Sequence, residues 1–182
     1  MDDLAGIDSL QEGAGTYALI LRSHSKATTQ VGRWGRINLE MGHYIYIGSA
    51  FGPGGVQARV SRHFRKEKRK HWHIDYLREF MIPVGAWYTL DCKRLEHIWA
   101  RALAEMSGIS CIQRFGCSDC NCHSHLFYTS TESALTLVSG VVGGDVETSF
   151  YRDAAQNETL CRHSDSSRHR ILVRRRTIRR FR

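Results

Sequence analysis

The feature that most constrains the fold is a series of strand-like segments with no helix between them. The run GTYALIL at Gly15–Leu21 is typical of a buried strand, and HYIYIGS at His43–Ser49 is rich in strand-forming residues. Short strands are predicted between them at Thr29–Val31 and Ile37–Leu39, on either side of a glycine break. Because the first strands follow one another directly, the sequence predicts a small mixed or antiparallel central sheet flanked by helices, an α+β fold.

Helical periodicity enters after this strand-rich segment. Val56, Val60 and Phe64 recur every four residues and predict a helix that begins near Gly55. Further helices are predicted at Trp72–Phe80, from about Cys92 to Met106 with Asp91 as its N-cap, and at Thr131–Val138. The apolar stripe of the helix that starts near Cys92 comprises Leu95, Ile98, Trp99, Ala102, Leu103 and Met106. Further strands are predicted at Val84–Leu90 and His125–Thr129.

The positive charge is concentrated in two places. Residues 162–182 hold nine arginines against one acid, Asp165, which equals the whole net charge of +8. A second cluster lies on and after the predicted helix that starts near Gly55, and its members are expected to contact nucleic-acid phosphates. They are Arg62, Arg65, Lys66, Lys68, Arg69 and Lys70. The alternative interpretation of this cluster is a solvated helix face.

These patterns divide the chain into three parts. We predict an N-terminal extension at 1–13, a folded domain at 14–142 and a polar, Arg-rich tail at 143–182 that is expected to be flexible. No segment approaches the roughly 18 consecutive apolar residues of a membrane span, and the acidic N-terminus lacks the apolar core of a secretory signal. We therefore expect a cytoplasmic protein without a membrane partner, and we expect no small-molecule organic cofactor.

Four metal-ligand side chains crowd into nine residues, namely Cys117, Cys120, Cys122 and His125. Zinc signatures usually place two ligand pairs well apart, so we interpret these cysteines as reduced packing residues, with a zinc site as the alternative. His71, His73 and Asp75 form a second candidate group. A helix would place His71 and Asp75 on one face, which favours a hydrogen bond between them over a metal site.

Two tripeptides resemble the paired signature of the GIY-YIG nuclease superfamily: Gly15-Thr16-Tyr17, and Tyr46-Ile47-Gly48. Arg59 and His63 on the following helix, and Glu96 on a later one, match the order of that superfamily's functional residues. The strings HYIYIGSAFG, ARVSRHFRKEK, KHWHIDYL and FGCSDCNCHSHLFY are similar to its Uri-type branch. The resemblance covers Gly15 to Tyr128.

The resemblance implies a metal-dependent endonuclease that hydrolyses DNA phosphodiester bonds, structure-selective and acting in repair or defence, with RNA left open as a substrate. Glu96 would bind Mg²⁺ or Mn²⁺, which proteins hold through one or two carboxylates. Arg59 would bind phosphate, and Tyr46 would be the general base. Tyr17 would position the water or the phosphate, while His63 would relay a proton or hold a tyrosine hydroxyl.

One departure from the superfamily supports other interpretations. Many members carry an asparagine after the Glu-bearing helix, where this chain has Phe115-Gly116. The first alternative is therefore a non-catalytic nucleic-acid-binding module that keeps the nuclease fold. The second is a zinc-dependent interaction module built on the cysteines.

Overall fold

Seven strands and four helices lie within residues 10–142, the part of the chain that this computed structural model describes. The strands are β1 (Gly15–Ser23), β2 (Ala27–Val31), β3 (Gly35–Leu39), β4 (Gly42–Ala50), β5 (Met81–Thr89), β6 (Ser110–Cys111) and β7 (Leu126–Thr129). The helices are α1 (Gly55–Phe64), α2 (His73–Leu77), α3 (Glu96–Ala104) and α4 (Glu132–Val142).

The main sheet has five strands in the order β5-β1-β4-β7-β6, and every neighbouring pair is antiparallel. Strands β2 and β3 form a separate antiparallel hairpin. The predicted α+β class is therefore confirmed, and the sheet is antiparallel.

Both faces of the main sheet are covered, which explains why β1 and β4 are buried at almost every position. Side chains alternate between the faces of a strand. Leu19 of β1 packs in a core shared with α1 and α2, whereas Ile20 packs in a second core shared with α3 and α4. The molecule thus has three layers, and residues two apart on a strand face the same helices.

The predicted strands and the helix at Gly55 are confirmed, as is the last helix, which extends to Val142. The predicted helix at Trp72–Phe80 is reduced to the five residues of α2. The predicted start near Cys92 is wrong, because α3 begins at Glu96. Asp91 is not its N-cap: the Asp91 carboxylate accepts a hydrogen bond of 2.8 Å from the Lys93 amide, which closes a local turn before the helix.

The start of α3 is fixed instead by a contact with the sheet. The backbone amide of Leu95 donates to the hydroxyl of Thr16 on β1 at 3.1 Å. The helix buries Trp99, Ala100 and Leu103, so Ile98, which we placed in the apolar stripe, lies off the buried face and is 53% exposed. Trp99 and Leu103 are buried as predicted. The two-residue strand β6 was not predicted.

The described residues, 10–142, can be compared with the predicted domain boundaries at residues 14 and 142. Leu10, within the predicted N-terminal extension, is buried in the core beside α1 and α2. The Arg-rich tail at 143–182 lies outside the described residues. Within the part that is described, no helix combines the length and apolarity needed to cross a membrane.

Candidate functional site

The two strand tyrosines meet a helix histidine on one face of the sheet. The register of β1 and β4 pairs Tyr17 with Gly48 and Leu19 with Tyr46, so both tyrosines face the core that holds α1. Their ring centroids lie 6.5 Å apart. His63, in the last turn of α1, is fully buried, and its Nε2 shares a hydrogen bond of 2.8 Å with the Tyr17 hydroxyl. Sequence positions 17, 46 and 63 therefore converge.

The glycines of both tripeptides are required by close approach. A Cβ at Gly48 would lie 2.5 Å from the hydroxyl oxygen of Tyr17. A Cβ at Gly15 would lie 1.9 Å from the backbone oxygen of Thr89 on β5. Contacts this short are sterically forbidden. Glycine at position 48 thus makes room for the Tyr17 ring, and glycine at position 15 lets β5 pair with β1.

Arg59 lies one turn before His63 on α1 and is held by an aromatic ring. Its guanidinium carbon lies 4.4 Å from the centroid of the Trp72 ring, and that of Arg62 lies 4.2 Å from the same centroid. Stacking of this kind is a favourable cation–π contact. Burial raises the pKa of both Tyr17 and Tyr46, and the positive charge of Arg59 partly offsets that rise.

Glu96 is the first residue of α3, and its side chain is 23% exposed. Its negative charge acts on Tyr46 and raises the pKa of that phenol. Its Oε1 atom lies 3.2 Å from Nδ1 of His125, without the alignment of a hydrogen bond. Glu96 therefore connects the tyrosine site to the residues just before β7.

Burial sets the protonation states of the three rings. It raises the pKa of Tyr46 well above its usual value, and Glu96 adds to the rise. Burial likewise raises the pKa of Tyr17, with Tyr46 as the next cause. Burial, followed by the charge of Lys68, lowers the pKa of His63 to about 3. At neutral pH the site therefore combines three uncharged rings with one cation, Arg59, and one anion, Glu96.

Next to this site, Asp75 organises part of the basic cluster. Its side chain has no exposed area and pairs with Lys68 Nζ at 2.9 Å and with Arg62 Nη1 at 3.1 Å. The backbone amides of His71 and Trp72 also donate to it, at 2.9 and 3.0 Å. Burial alone would raise the pKa of Asp75, but these contacts outweigh it and lower the pKa to about 2. The predicted contact between His71 and Asp75 is thus made by the backbone amide.

The four basic residues of the cluster that do not contact Asp75 are more accessible to solvent. Lys70 pairs with Glu79 at 2.5 Å. Arg65, Lys66 and Arg69 are exposed. The side chain of Lys68 is only 8% exposed, so its charge is directed at Asp75.

A second group of polar side chains lies on the other side of Glu96. One ligand atom from each of four residues lies within 4.8 Å of all the others. The four are His97, Cys120, Cys122 and His125. Sequence reasoning missed His97, because nothing in its spacing connects it with cysteines 23 or more residues later. Its only signal was its position beside Glu96.

Cys117 has a different environment. It is buried, and its thiol donates to the backbone oxygen of Phe115 at 3.4 Å. Burial raises the pKa of Cys117 to about 12 and that of Cys122 to about 11, which disfavours a reactive thiolate. None of the five described cysteines is in a disulfide.

The fold and the site together define an α+β protein in which two strand tyrosines, a helix Arg-His pair and a glutamate interact around an antiparallel sheet. The chain belongs to the family described as Domain of unknown function DUF123, which matches residues 16–143. Searches of the curated proteins and of the solved structures found no match.

Proposed function

We propose that this protein is a metal-dependent endonuclease that hydrolyses DNA phosphodiester bonds. The observation that most supports the proposal is the convergence of side chains that lie far apart in the sequence. Tyr17 and Tyr46 contact His63, while the charges of Arg59 and Glu96 act on Tyr46. These five are the residues that the GIY-YIG resemblance singles out.

Arg59 would bind the scissile phosphate. A guanidinium is planar, stays charged at all relevant pH values and donates two parallel hydrogen bonds to phosphate oxygens. Its stacking on Trp72 restricts its orientation, which lowers the entropy lost when phosphate binds. The same charge would oppose the negative charge that grows on the phosphate during hydrolysis.

Tyr46 would act as its phenolate: its own proton would first pass to solvent, and the phenolate would then accept the proton of the attacking water. Tyr17 would position that water or the phosphate. Since burial and Glu96 raise the pKa of Tyr46, loss of its proton needs compensating positive charge. Arg59 supplies part of that charge. His63 is buried and uncharged, so it holds the Tyr17 hydroxyl in place rather than exchanging protons with substrate.

Glu96 fits a Mg²⁺ or Mn²⁺ ligand because it is a single, partly exposed carboxylate beside the tyrosine site. Magnesium is commonly bound through one or two carboxylates together with water and substrate phosphate. When bound, such an ion supplies Lewis acidity and neutralises phosphate charge.

DNA would be held by the exposed members of the basic cluster, Arg65, Lys66, Arg69 and Lys70, through its phosphates. A separate groove of about 360 Å³ is lined by Arg33, Trp34, His73, Arg114, Cys117 and Ser118. RNA remains an alternative substrate. A cytoplasmic location is part of the proposal and rests on sequence composition.

The test compares purified full-length protein with Glu96→Gln, using labelled DNA duplexes, flaps and single strands in Mg²⁺, in Mn²⁺ and in chelator. Glu96→Gln keeps the size of the side chain and removes its charge. We expect it to cut about 10²–10³-fold more slowly, the cost of losing one key electrostatic element. Binding of DNA in chelator should be unchanged, because the basic cluster is intact.

Glu105→Gln is the matched control, since Glu105 is exposed at the other end of α3. This variant should cleave DNA at the wild-type rate. Arg59→Ala should reduce cleavage and slightly weaken binding, because one phosphate contact is lost. Cleavage that persists undiminished in Glu96→Gln would show that another residue binds the metal.

One observation favours a second candidate, a nucleic-acid-binding module without activity. Phe115, at the position where many superfamily members carry asparagine, is buried against Trp34 and Tyr46, with ring centroids 5.4 and 6.5 Å away. A wild-type protein that binds DNA but cuts none of the structures in either metal would support this module and exclude the endonuclease.

A further inference from the structure

The side chains of His97, Cys120, Cys122 and His125 come from two separate parts of the fold, helix α3 and the loop that joins β6 to β7. His97 lies in the first turn of α3, the two cysteines lie in the loop after β6, and His125 immediately precedes β7. Nδ1 of His97 lies 3.2 Å from Sγ of Cys122, and Nε2 of His125 lies 3.2 Å from Sγ of Cys120. With all four ligand atoms inside 4.8 Å of one another, the group surrounds a common point.

The loop that carries the cysteines is held by an arginine. Arg114 has a φ of 60°, an uncommon conformation for a residue other than glycine. Its guanidinium donates to the backbone oxygens of Cys117, Cys120 and Cys122 at 3.0 to 3.3 Å. The loop is also closed at its base, because the His125 amide donates to the Phe115 oxygen at 2.9 Å. These contacts position the sulfur atoms independently of any ion.

From this geometry we propose that His97, Cys120, Cys122 and His125 bind a structural zinc ion. Two sulfur and two imidazole ligands form the Cys₂His₂ set of closed tetrahedral zinc sites, in which the sulfur–zinc distance is about 2.3 Å and the nitrogen–zinc distance about 2.0 Å. His97 supplies the separate ligand source that the crowded segment 117–125 lacks by itself. Cys117 lies outside this set of four: its thiol donates to the Phe115 oxygen, and it also interacts with Cys120.

The arrangement around His125 matches a metal-bound histidine. Its Nε2 faces Cys120 and the common point, while its Nδ1 faces Glu96 at 3.2 Å. A histidine that binds zinc through one ring nitrogen usually directs the other toward a carboxylate or carbonyl. Because His125 contacts both groups, substitutions at His97 and Cys120 are cleaner tests of the zinc site.

The zinc content of full-length protein, purified under reducing conditions without a polyhistidine tag, tests the proposal. We expect about one zinc per chain that survives dialysis. Cys120→Ser and His97→Ala should lose it. His97 is exposed, so His97→Ala removes a ligand without disturbing a buried position.

Two matched cysteine variants identify the ligand set. Cys111→Ser changes a described cysteine outside the group and should keep its zinc. Cys117→Ser changes the neighbouring buried cysteine and should keep it as well. Loss of zinc in Cys117→Ser together with retention in His97→Ala would overturn the proposed set of ligands.

Cobalt provides a readout that does not depend on DNA cleavage. Wild-type protein depleted of zinc and titrated with Co²⁺ should show the visible absorption bands of tetrahedral cobalt and a thiolate charge-transfer band, and His97→Ala should show neither. Circular dichroism of each variant establishes that it is folded. A folded wild-type protein with far less than one metal ion per chain, with iron in place of zinc, or with no cobalt bands would refute the proposal.

Discussion

Replacement of Gly48 tests whether the close packing of the Tyr17 ring against β4 stabilises the fold. Gly48→Ala would place a methyl group 2.5 Å from the Tyr17 hydroxyl, so the ring must move away from His63 or β4 must shift. We expect this overpacking to lower the free energy of unfolding by about 1–3 kcal/mol, measured by chemical denaturation.

Gly52→Ala is the matched control. At that position the nearest atom to the added methyl group would be the Arg59 guanidinium, at 3.8 Å, which is ordinary contact. Equal losses in the free energy of unfolding of the two variants would mean that contact with the Tyr17 ring is not what requires glycine at position 48.

His63 should make the protein sensitive to mild acid. Its folded pKa of about 3 lies below the 6.5 of an unperturbed histidine, so the unfolded chain binds a proton that the folded chain does not. The stabilisation is complete above pH 6.5 and is lost as the pH falls toward 3, by about 1.4 kcal/mol per pH unit at most. Lys68, Asp75, Arg62 and Arg59 are the charges that act on this ring.

Thermal denaturation at a series of pH values between 7 and 4 measures this effect. His63→Gln removes the titrating group and should give a shallower decrease of stability with falling pH than the wild type. His24→Gln, at an exposed position after β1, should leave the slope unchanged. A His63→Gln slope equal to the wild-type slope would contradict the assignment.

At the scale of elements, Asp75 joins α1 to α2. Its carboxylate receives Arg62 of α1, Lys68 of the connecting loop and the two backbone amides before α2. Asp75→Asn would leave two partly buried cations, Arg62 and Lys68, without their counter-charge. We expect a loss of about 3–5 kcal/mol in the free energy of unfolding by urea denaturation.

The surface pair of Lys70 and Glu79 offers the comparison for Asp75→Asn. Both side chains are substantially exposed, so Glu79→Gln should cost at most about 1 kcal/mol. A loss in Asp75→Asn no larger than in Glu79→Gln would mean that solvent enters the Asp75 site and screens its charges.

Elements whose apolar pattern is local were predictable from the sequence, and elements fixed by distant contacts were not. Strands β1 and β4 are recognisable from the strand-forming residues within each segment. The start of α3 depends on Leu95 donating to Thr16, a contact between residues 79 apart. The short strand β6 forms only because β7 lies beside it, so nothing in Ser110-Cys111 alone predicts it.

The candidate site divides in the same way. Tyr17, Tyr46 and His63 were singled out by the resemblance to the GIY-YIG superfamily, and the structure brings them into contact. His97 was missed because its partners depend on how α3 packs against the loop after β6. The role of Asp75 as a counter-ion for Arg62 and Lys68 was also missed, since burial of a carboxylate cannot be read from local sequence.

At the scale of the whole molecule, the Arg-rich tail should contribute affinity without contributing chemistry. Residues 162–182 hold nine arginines, and each phosphate they neutralise adds about 0.9 to the slope of log affinity against log salt. Deleting them should weaken DNA binding and flatten that slope, while the turnover at saturating DNA remains similar. Fluorescence anisotropy across a salt series measures the change.

The folded state of the truncated protein is the control for this experiment. Circular dichroism should be that of a folded protein, because the described core is complete by Val142. An unchanged salt slope would place the DNA contacts of the protein entirely on the folded domain.

The position of β1 inside the sheet, with a paired strand on each side, has a consequence for the order of folding. This strand lies between β4, which follows within 30 residues, and β5, which follows only after α1 and α2. During synthesis β1 and β4 can pair early, but the second edge of β1 stays open until residues 81–89 emerge. An open apolar edge is the surface on which chains join one another. Nascent chains that stop between β4 and β5 therefore expose an edge of β1 that is paired in the finished sheet.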